Sequence, residues 1–334
     1  MSRMRLAAFD VGTNSTRLLV AEVADGHVTN ELARDMVITR LGRGVDATRR
    51  FDPAALARTL EVVAGYADRC RALGVQAVRV VATSATRDVR NRDEFVAGVL
   101  AGTGVEPEVL SGEEEAAATW AGATADLQGA ERTLVVDIGG GSTEFIVGVP
   151  GGPASTPEAM ASLDVGCVRL TERHLHGDPP TAAEVAALRA DVRSHLARLP
   201  GTVDPASARR VVGVAGTVTT VVALALGLPA YDPSVIHHAA VEAGQVEATA
   251  ARLLSLTVAE RAALPVMAPG REDVIAAGAV VLDEICRSFG FARIMASEAD
   301  ILDGVLLGLA TRTAGGRPWT PGTEGKGRPT ARPA

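Results

Sequence analysis

Two short runs, 10-DVGTNS-15 and 137-DIGGGS-142, each place a carboxylate directly ahead of a turn that contains glycine. Each follows an apolar run, 5-RLAAF-9 or 132-RTLVV-136, and each leads into another, 16-TRLLVAEV-23 or 143-TEFIVGV-149. Where a strand stops, the amides of a glycine turn form a concave nest for phosphate oxygens. An acid beside that nest can hold a divalent ion such as Mg2+, directly or through water, and so offset the anion's charge. Glycines in series cost backbone entropy and persist where a Cβ would obstruct something. One such hairpin is more simply a tight turn capped by its Asp; a matched pair, recurring after 127 residues, reverses that preference and suggests two like-folded halves.

Three further groups bear on the same chemistry. In 213-GVAGTVTT-220 a glycine element joins a strand to a helix, whose N-terminal amides can bind an anion; close strand–helix packing explains it equally well. In 111-SGEEEA-116, Ser111 as N-cap and Glu114 three residues on form a capping box, and Glu113 suits the helix dipole. Glu115 has neither role, and near a junction between domains it could act as a general base on water. The cations are almost all Arg, because the only Lys is Lys326. P-loop and Schiff-base chemistry, which need a lysine in the core, are nearly excluded, whereas guanidinium pairs bidentately with phosphate. Arg17 stands out because it sits just inside an apolar strand immediately after the first turn. His237 and His238, read as neighbours on a strand, would point to opposite faces and are assigned a structural role; His174 and His176 would share a face but have no evident third ligand.

The elements that must position these residues alternate between strand and helix. Asp52 and Pro53 open a helix over 53–74; 75–83 reads as a strand, about 92–100 as a helix, and 105–110 as a strand leading to the helix at Ser111. In the second half come a strand near 158–165, a helix from a Thr181/Glu184 capping box to about Leu199, a strand at 209–216 with its helix, helices near 242–256 and 272–288, a strand at 292–297 and a helix over 298–312. With 334 residues, 47% of them apolar, the chain has length for two domains, 1–124 and 125–312; the Gly/Pro/Thr-rich segment 313–334 is expected to be disordered. A formal charge of −7 makes nucleic acid a poor partner. Cys70, Cys167 and Cys286 are odd in number and far apart, as for reduced thiols of a cytoplasmic protein. Residues 211–231 are uncharged, but their glycines and threonines suit a strand, turn and buried helix better than a membrane span.

In sum these motifs resemble the exopolyphosphatase/guanosine pentaphosphate phosphatase (Ppx/GppA) family, within the actin/hexokinase/Hsp70 superfamily. The resemblance rests on 8-AFDVGTNSTRLLV-20, 83-TSATRDVRN-91, 111-SGEEEA-116, 135-VVDIGGGSTE-144, 213-GVAGT-217 and 270-GREDVIAAG-278, and covers about residues 5 to 312. It implies an α/β fold of two similar ribonuclease H-like (actin-like ATPase) domains, with mixed sheets flanked by helices and a cleft between them. It implies Glu115 as the catalytic base, and Asp137 and Glu144 as metal-associated acids, to which the first hairpin adds Asp10. Gly12, Thr13, Asn14, Ser15, Gly139, Gly140, Gly141, Ser142, Gly216 and Thr217 would hold phosphate, helped by Arg17, Arg87 and Arg271; Arg43 lies in a family-like motif without a definite role. The implied activity is Mg2+-dependent release of terminal orthophosphate from inorganic polyphosphate, with a monovalent ion such as K+ as a candidate second cation. Removal of the 5′ γ-phosphate of guanosine pentaphosphate (pppGpp) is the alternative, followed by an actin-like ATP-binding kinase or regulatory module. A homodimer is implied, with no nucleic-acid or membrane partner.

Overall fold

The computed structural model describes residues 3–24, 26–152 and 155–313; the expected tail lies outside them, apart from its first residue. Strands β1 (Met4–Val11), β2 (Ser15–Ala24), β3 (His27–Ile38), β4 (Ala77–Ala82) and β5 (Glu108–Val109) form one sheet in the order β3-β2-β1-β4-β5. β2 runs antiparallel to β1 and β3, while β4 is parallel to β1 and β5. Strands β6 (Thr133–Ile138), β7 (Thr143–Gly148), β8 (Ala159–Leu163), β9 (Arg210–Val214), β10 (Ala240–Glu242) and β11 (Arg293–Ala296) form the other, in the order β10-β11-β9-β6-β7-β8. Read from β8 to β11 it repeats the first sheet, with β10 added antiparallel at its edge. The ribonuclease H-like arrangement is thus present twice.

The helices of the first half are α1 (Val45–Thr48), α2 (Pro53–Ala72), α3 (Ser84–Arg87), α4 (Arg92–Thr103) and α5 (Gly112–Ala123). Those of the second are α6 (Cys167–His174), α7 (Ala182–Leu196), α8 (Ala215–Ala225), α9 (Pro233–Ile236), α10 (Ala243–Ser255), α11 (Val258–Ala262), α12 (Ile275–Phe289) and α13 (Ile301–Thr313). The caps read from sequence are in place: Asp52 accepts from the Ala55 amide, and both Ser111/Glu114 and Thr181/Glu184 close capping boxes. Among the described residues no helix is long and apolar enough to cross a membrane, and all three cysteines are buried free thiols.

β1 is buried on both faces because helices cover both. Ala7, Phe9 and Val11 face Phe51, Val63 and Phe95, whereas Leu6 and Ala8 face Leu302, Val305 and Leu306 of α13. The last helix therefore returns to the first sheet, so the expected 125–312 unit contributes α13 to its neighbour. Conversely α5 packs Ala116, Trp120 and Ala123 against Val135, Ile146 and Val212 of the second sheet. The two helices cross where Gly122 meets the backbone of Asp300 and Gly304 meets that of Ala118; any Cβ at these glycines would collide. β3 went unread in the sequence because it is a largely exposed edge strand with no sustained apolar pattern.

Candidate active site

Register places the chemistry of both hairpins in equivalent positions. Asp10 pairs with Arg17 across β1 and β2, and Asp137 with Glu144 across β6 and β7, so the directly opposed residues lie on the same face of each sheet. Both turns close identically: the Gly12 amide donates to the Ser15 carbonyl at 2.9 Å, and the Gly139 amide to that of Ser142 at 3.0 Å. The equivalent position thus holds a cation in one half and an acid in the other.

The carbonyls of both turns are drawn away by the segments behind them. Thr13 O accepts from the Gly42 amide, and Asn14 O from those of Thr39 and Arg40. In the second turn Gly139 O accepts from the Cys167 amide, Gly140 O from those of Val168 and Arg169, and Gly141 O from Arg169 Nε at 2.8 Å. A trans peptide sets its carbonyl and the following N–H in opposite directions, so the amides of Asn14, Ser15, Gly140, Gly141 and Ser142 aim the other way, forming nests. Gly166 abuts the Gly140 and Gly141 backbone with no room for a Cβ.

The two turns meet. A Cβ on Gly140 would stand 2.9 Å from Thr13 Cβ, and one on Gly141 2.6 Å from Ser84 Oγ. They line one cavity of about 430 Å3 with Asp10, Asp137, Glu115 and Arg17. Gly12 through Ser15, Gly139 through Ser142, Gly216, Thr217 and Arg271 line it too, so of the residues given a site role from sequence Arg87 and Glu144 stand outside the wall.

These two act from behind. Arg87, at the end of α3, donates to Glu115 Oε2 at 2.7 Å and to Leu110 O at 2.8 Å; it grips the carboxylate of the expected base. Glu144 is completely buried, so the alternative of a solvated strand face is removed. Ser162 Oγ donates to its Oε1 at 2.7 Å, while Oε2 has no hydrogen-bond partner among the described residues. Glu115 is buried whereas Glu113 and Glu114 are exposed, which separates the three acids by role.

Electrostatics follow from burying so many acids together. Burial, with Asp300 and Glu115 adding to it against Arg17, pushes Asp10 up to about 7. Burial together with Asp300 and Glu115 pushes Asp137 to about 8, opposed by Arg17 and a hydrogen bond from Thr119 Oγ1 at 3.1 Å. Burial raises Glu115 as well, and Arg87 counters it. Arg17 lies between Asp10, at 3.6 Å, and Asp300, to which it also donates. Among the described residues Asp10 Oδ1 and Glu144 Oε2 are left unpartnered in the interior, and buried carboxylate oxygens of this kind suit a hard divalent cation, though these acids do not gather into a three-ligand cluster.

Arg271 is held differently from a free phosphate ligand. Its guanidinium lies against Gly216, where a Cβ would collide, and donates to Gly216 O at 3.0 Å and Thr220 Oγ1 at 2.7 Å. It shapes the third glycine element while facing the cavity. Arg43 is exposed and lies outside the cavity wall. Ala215, where β9 turns into α8 at the wall, has φ of 65°, a left-handed conformation costly for a residue with a Cβ.

Sequence reasoning missed Asp300, Glu298, Ser84 and Arg169. Asp300 is buried at the cavity and caps α13 through the Leu302 amide. Its signal, an acid between an apolar strand and an apolar helix in 292-ARIMASEADIL-302, was the same one read in the hairpins. The histidine reading needs correction. His237 and His238 are not on a strand: they follow α9, and His238 has φ of 62°, so their rings stack at 3.9 Å and both reach Asp126. The three could surround an ion, but His237 Nδ1 accepts from the Glu298 amide, which leaves Nε2 as the N–H donor to Asp126. His174 shares Asp191 with His195 rather than pairing with His176.

Twin ribonuclease H-like halves enclosing a cleft of turn amides and buried acids define a protein of the actin-like ATPase fold. The chain belongs to the Ppx/GppA phosphatase family, whose pattern matches residues 19–313. It is 46% identical over 323 residues to Exopolyphosphatase 2 of Mycobacterium tuberculosis, covering 93% of this chain and all of that one. It is 34% identical over 212 residues to a guanosine-5′-triphosphate,3′-diphosphate pyrophosphatase of Vibrio atlanticus, covering 64% of this chain and 42% of that protein. A crystal structure of an exopolyphosphatase-like protein superposes with a TM-score of 0.90 at 37% identity, covering 94% of this chain and 99% of the other.

Proposed function

We propose that the cleft hydrolyses the terminal phosphoanhydride of inorganic polyphosphate and releases orthophosphate. The observation that carries this reading is the convergence of both acid-led turns on one cavity with Glu115 in its wall. The nests at Asn14–Ser15 and Gly140–Ser142 receive the terminal phosphate oxygens, and Arg17 adds positive charge. Glu115 takes a proton from water as its oxygen bonds to the terminal phosphorus. The bridging P–O bond breaks, its electron pair leaving on the shortened chain, and orthophosphate departs. Arg87 opposes the upward push of burial on Glu115 and aims its carboxylate. Asp10 and Asp137, with Glu144 beside Asp137 in register, would hold Mg2+, which when bound neutralises charge on the phosphoryl oxygens. Such catalysis is mainly positioning and electrostatics and needs no covalent nucleophile. A homodimer accompanies this reading as an expectation from family likeness, and a cytoplasmic setting as one from the unpaired cysteines.

One observation favours the nucleotide alternative. Part of the cavity wall is Met36, Tyr231, Pro233, Pro265, Val266 and Met267, which an inorganic chain does not need but a nucleoside would use. Orthophosphate release is therefore measured side by side from short polyphosphate, long polyphosphate and guanosine pentaphosphate, with and without Mg2+. The proposal expects Mg2+-dependent release from short polyphosphate. Release from the nucleotide alone moves the assignment to the alternative, and tight ATP binding with no release from any substrate overturns both.

A further inference from the structure

Arg169, the third residue of α6, is a charged side chain only 7% exposed and lies outside the cavity wall. Its Nε donates to Gly141 O at 2.8 Å, its Nη2 to Asp88 Oδ2 at 2.9 Å, and its Nη1 to Asp46. A surface latch between the two halves would need only the acids. The bond to Gly141 O has another meaning, which the internal repeat exposes. Asn14 and Gly141 occupy equivalent turn positions, and the carbonyl of Asn14 is held by two backbone amides, those of Thr39 and Arg40. In the second half no backbone amide among the described residues takes that place, and a guanidinium fills it. Holding Gly141 O outward aims the Ser142 amide into the cavity. At its far end Arg169 fixes Asp88, the neighbour of Arg87, and Arg87 in turn grips Glu115.

We propose that Arg169 is a positioning residue for the hydrolysis. One planar fork, with donors in fixed relative directions, sets both the phosphate nest of the second turn and the turn that presents Arg87 to the base. The proposal rests on the hydrolytic reading above. Lysine cannot reproduce it fully, since a single ammonium lacks the fork's geometry.

The test compares the full-length parent with Arg169→Met, Arg169→Lys and Arg173→Gln. Arg173 shares Asp46 at 3.1 Å but makes no bond to the second turn, so it reports on latching alone. Arg169→Met is expected to lose about 10²-fold in kcat/KM for short polyphosphate, the scale of a misplacement near 1 Å. The acidic limb of its pH profile should move upward, because a loosened Arg87 no longer holds Glu115 down. Arg169→Lys should recover part of the loss and Arg173→Gln should match the parent. A folded Arg169→Met, or Arg169→Lys if the Met variant does not fold, with a lowered melting midpoint but parental kcat/KM and pH profile overturns the proposal. If the parent itself releases no orthophosphate, the hydrolytic reading fails and hydrogen exchange decides the positioning claim. Faster exchange at both 139–142 and 84–88 in the Arg169 variant upholds it; unchanged exchange at both overturns it.

Discussion

The division of labour between residues follows from what each can do when buried. Glu115 is in the cavity wall with a cation behind it; Glu144 is equally interior yet faces Asp137 rather than the cavity. Glu144 is therefore expected to act on the metal through Asp137 beside it. Glu144→Gln is expected to raise the Mg2+ concentration for half-maximal activity by about 10–100-fold, as when a partner behind a metal ligand is removed. A Mg2+ titration of orthophosphate release checks this, and an unchanged midpoint would assign Glu144 to packing alone. At this scale much was legible. The placement of Asp10, Asp137 and Arg17 at the cavity could be read because a charge interrupting an apolar run beside glycines has few purposes; Glu115 stood out from its neighbours, which have structural roles, but only the family resemblance weighed for it against an acidic first turn with no catalytic member. Arg169 was illegible: it lies within an ordinary polar helix, and its meaning depends on where the chain beyond residue 141 folds back. The histidines were misread because a positive φ at a residue that is neither Gly nor Asn leaves no mark in sequence.

Among elements, helix starts were the most legible feature, since Asp52, Ser111 and Thr181 each cap through their own side chains. The destination of α13 was not, because an apolar helix says that it is buried without saying against which sheet. Its crossing with α5 joins the halves through glycines with no room for a side chain. Gly304→Ala should therefore destabilise the protein by about 1–3 kcal/mol, the usual cost of overpacking, read as a lower urea midpoint. An unchanged midpoint would mean that the helices separate freely. Ala215→Gly should act in the other direction. Removing a Cβ from the left-handed conformation between β9 and α8 is expected to stabilise by about 1 kcal/mol. The same urea series would refute the strain if the variant were less stable.

Across the whole molecule, two copies of one sheet order bring their turns together, and that convergence concentrates acids in the interior. Asp10 and Asp137, raised from an ordinary 3.8 to about 7 and about 8, prefer to be protonated in the folded state. In the metal-free protein their contribution to stability is present at pH 4 and is lost as pH rises through 7 to 8. A bound divalent cation reverses this by favouring the charged forms. The melting midpoint without metal should fall between pH 5 and 8.5, and Mg2+ should raise it more at pH 8.5 than at pH 5. Equal increments at both pH values would mean that the ion binds elsewhere. The duplication itself was visible as a repeated six-residue motif, whereas the sharing of α5 and α13 between halves required the folded chain.

The central claim is that two acid-led turns hold a phosphate chain while Glu115 draws the proton from the attacking water. Orthophosphate release from short polyphosphate by Glu115→Gln, at saturating substrate and Mg2+, tests it most directly. The account predicts a folded variant that still binds substrate and loses about 10²–10⁴-fold in kcat. Hydrolysis at the parental rate would contradict it.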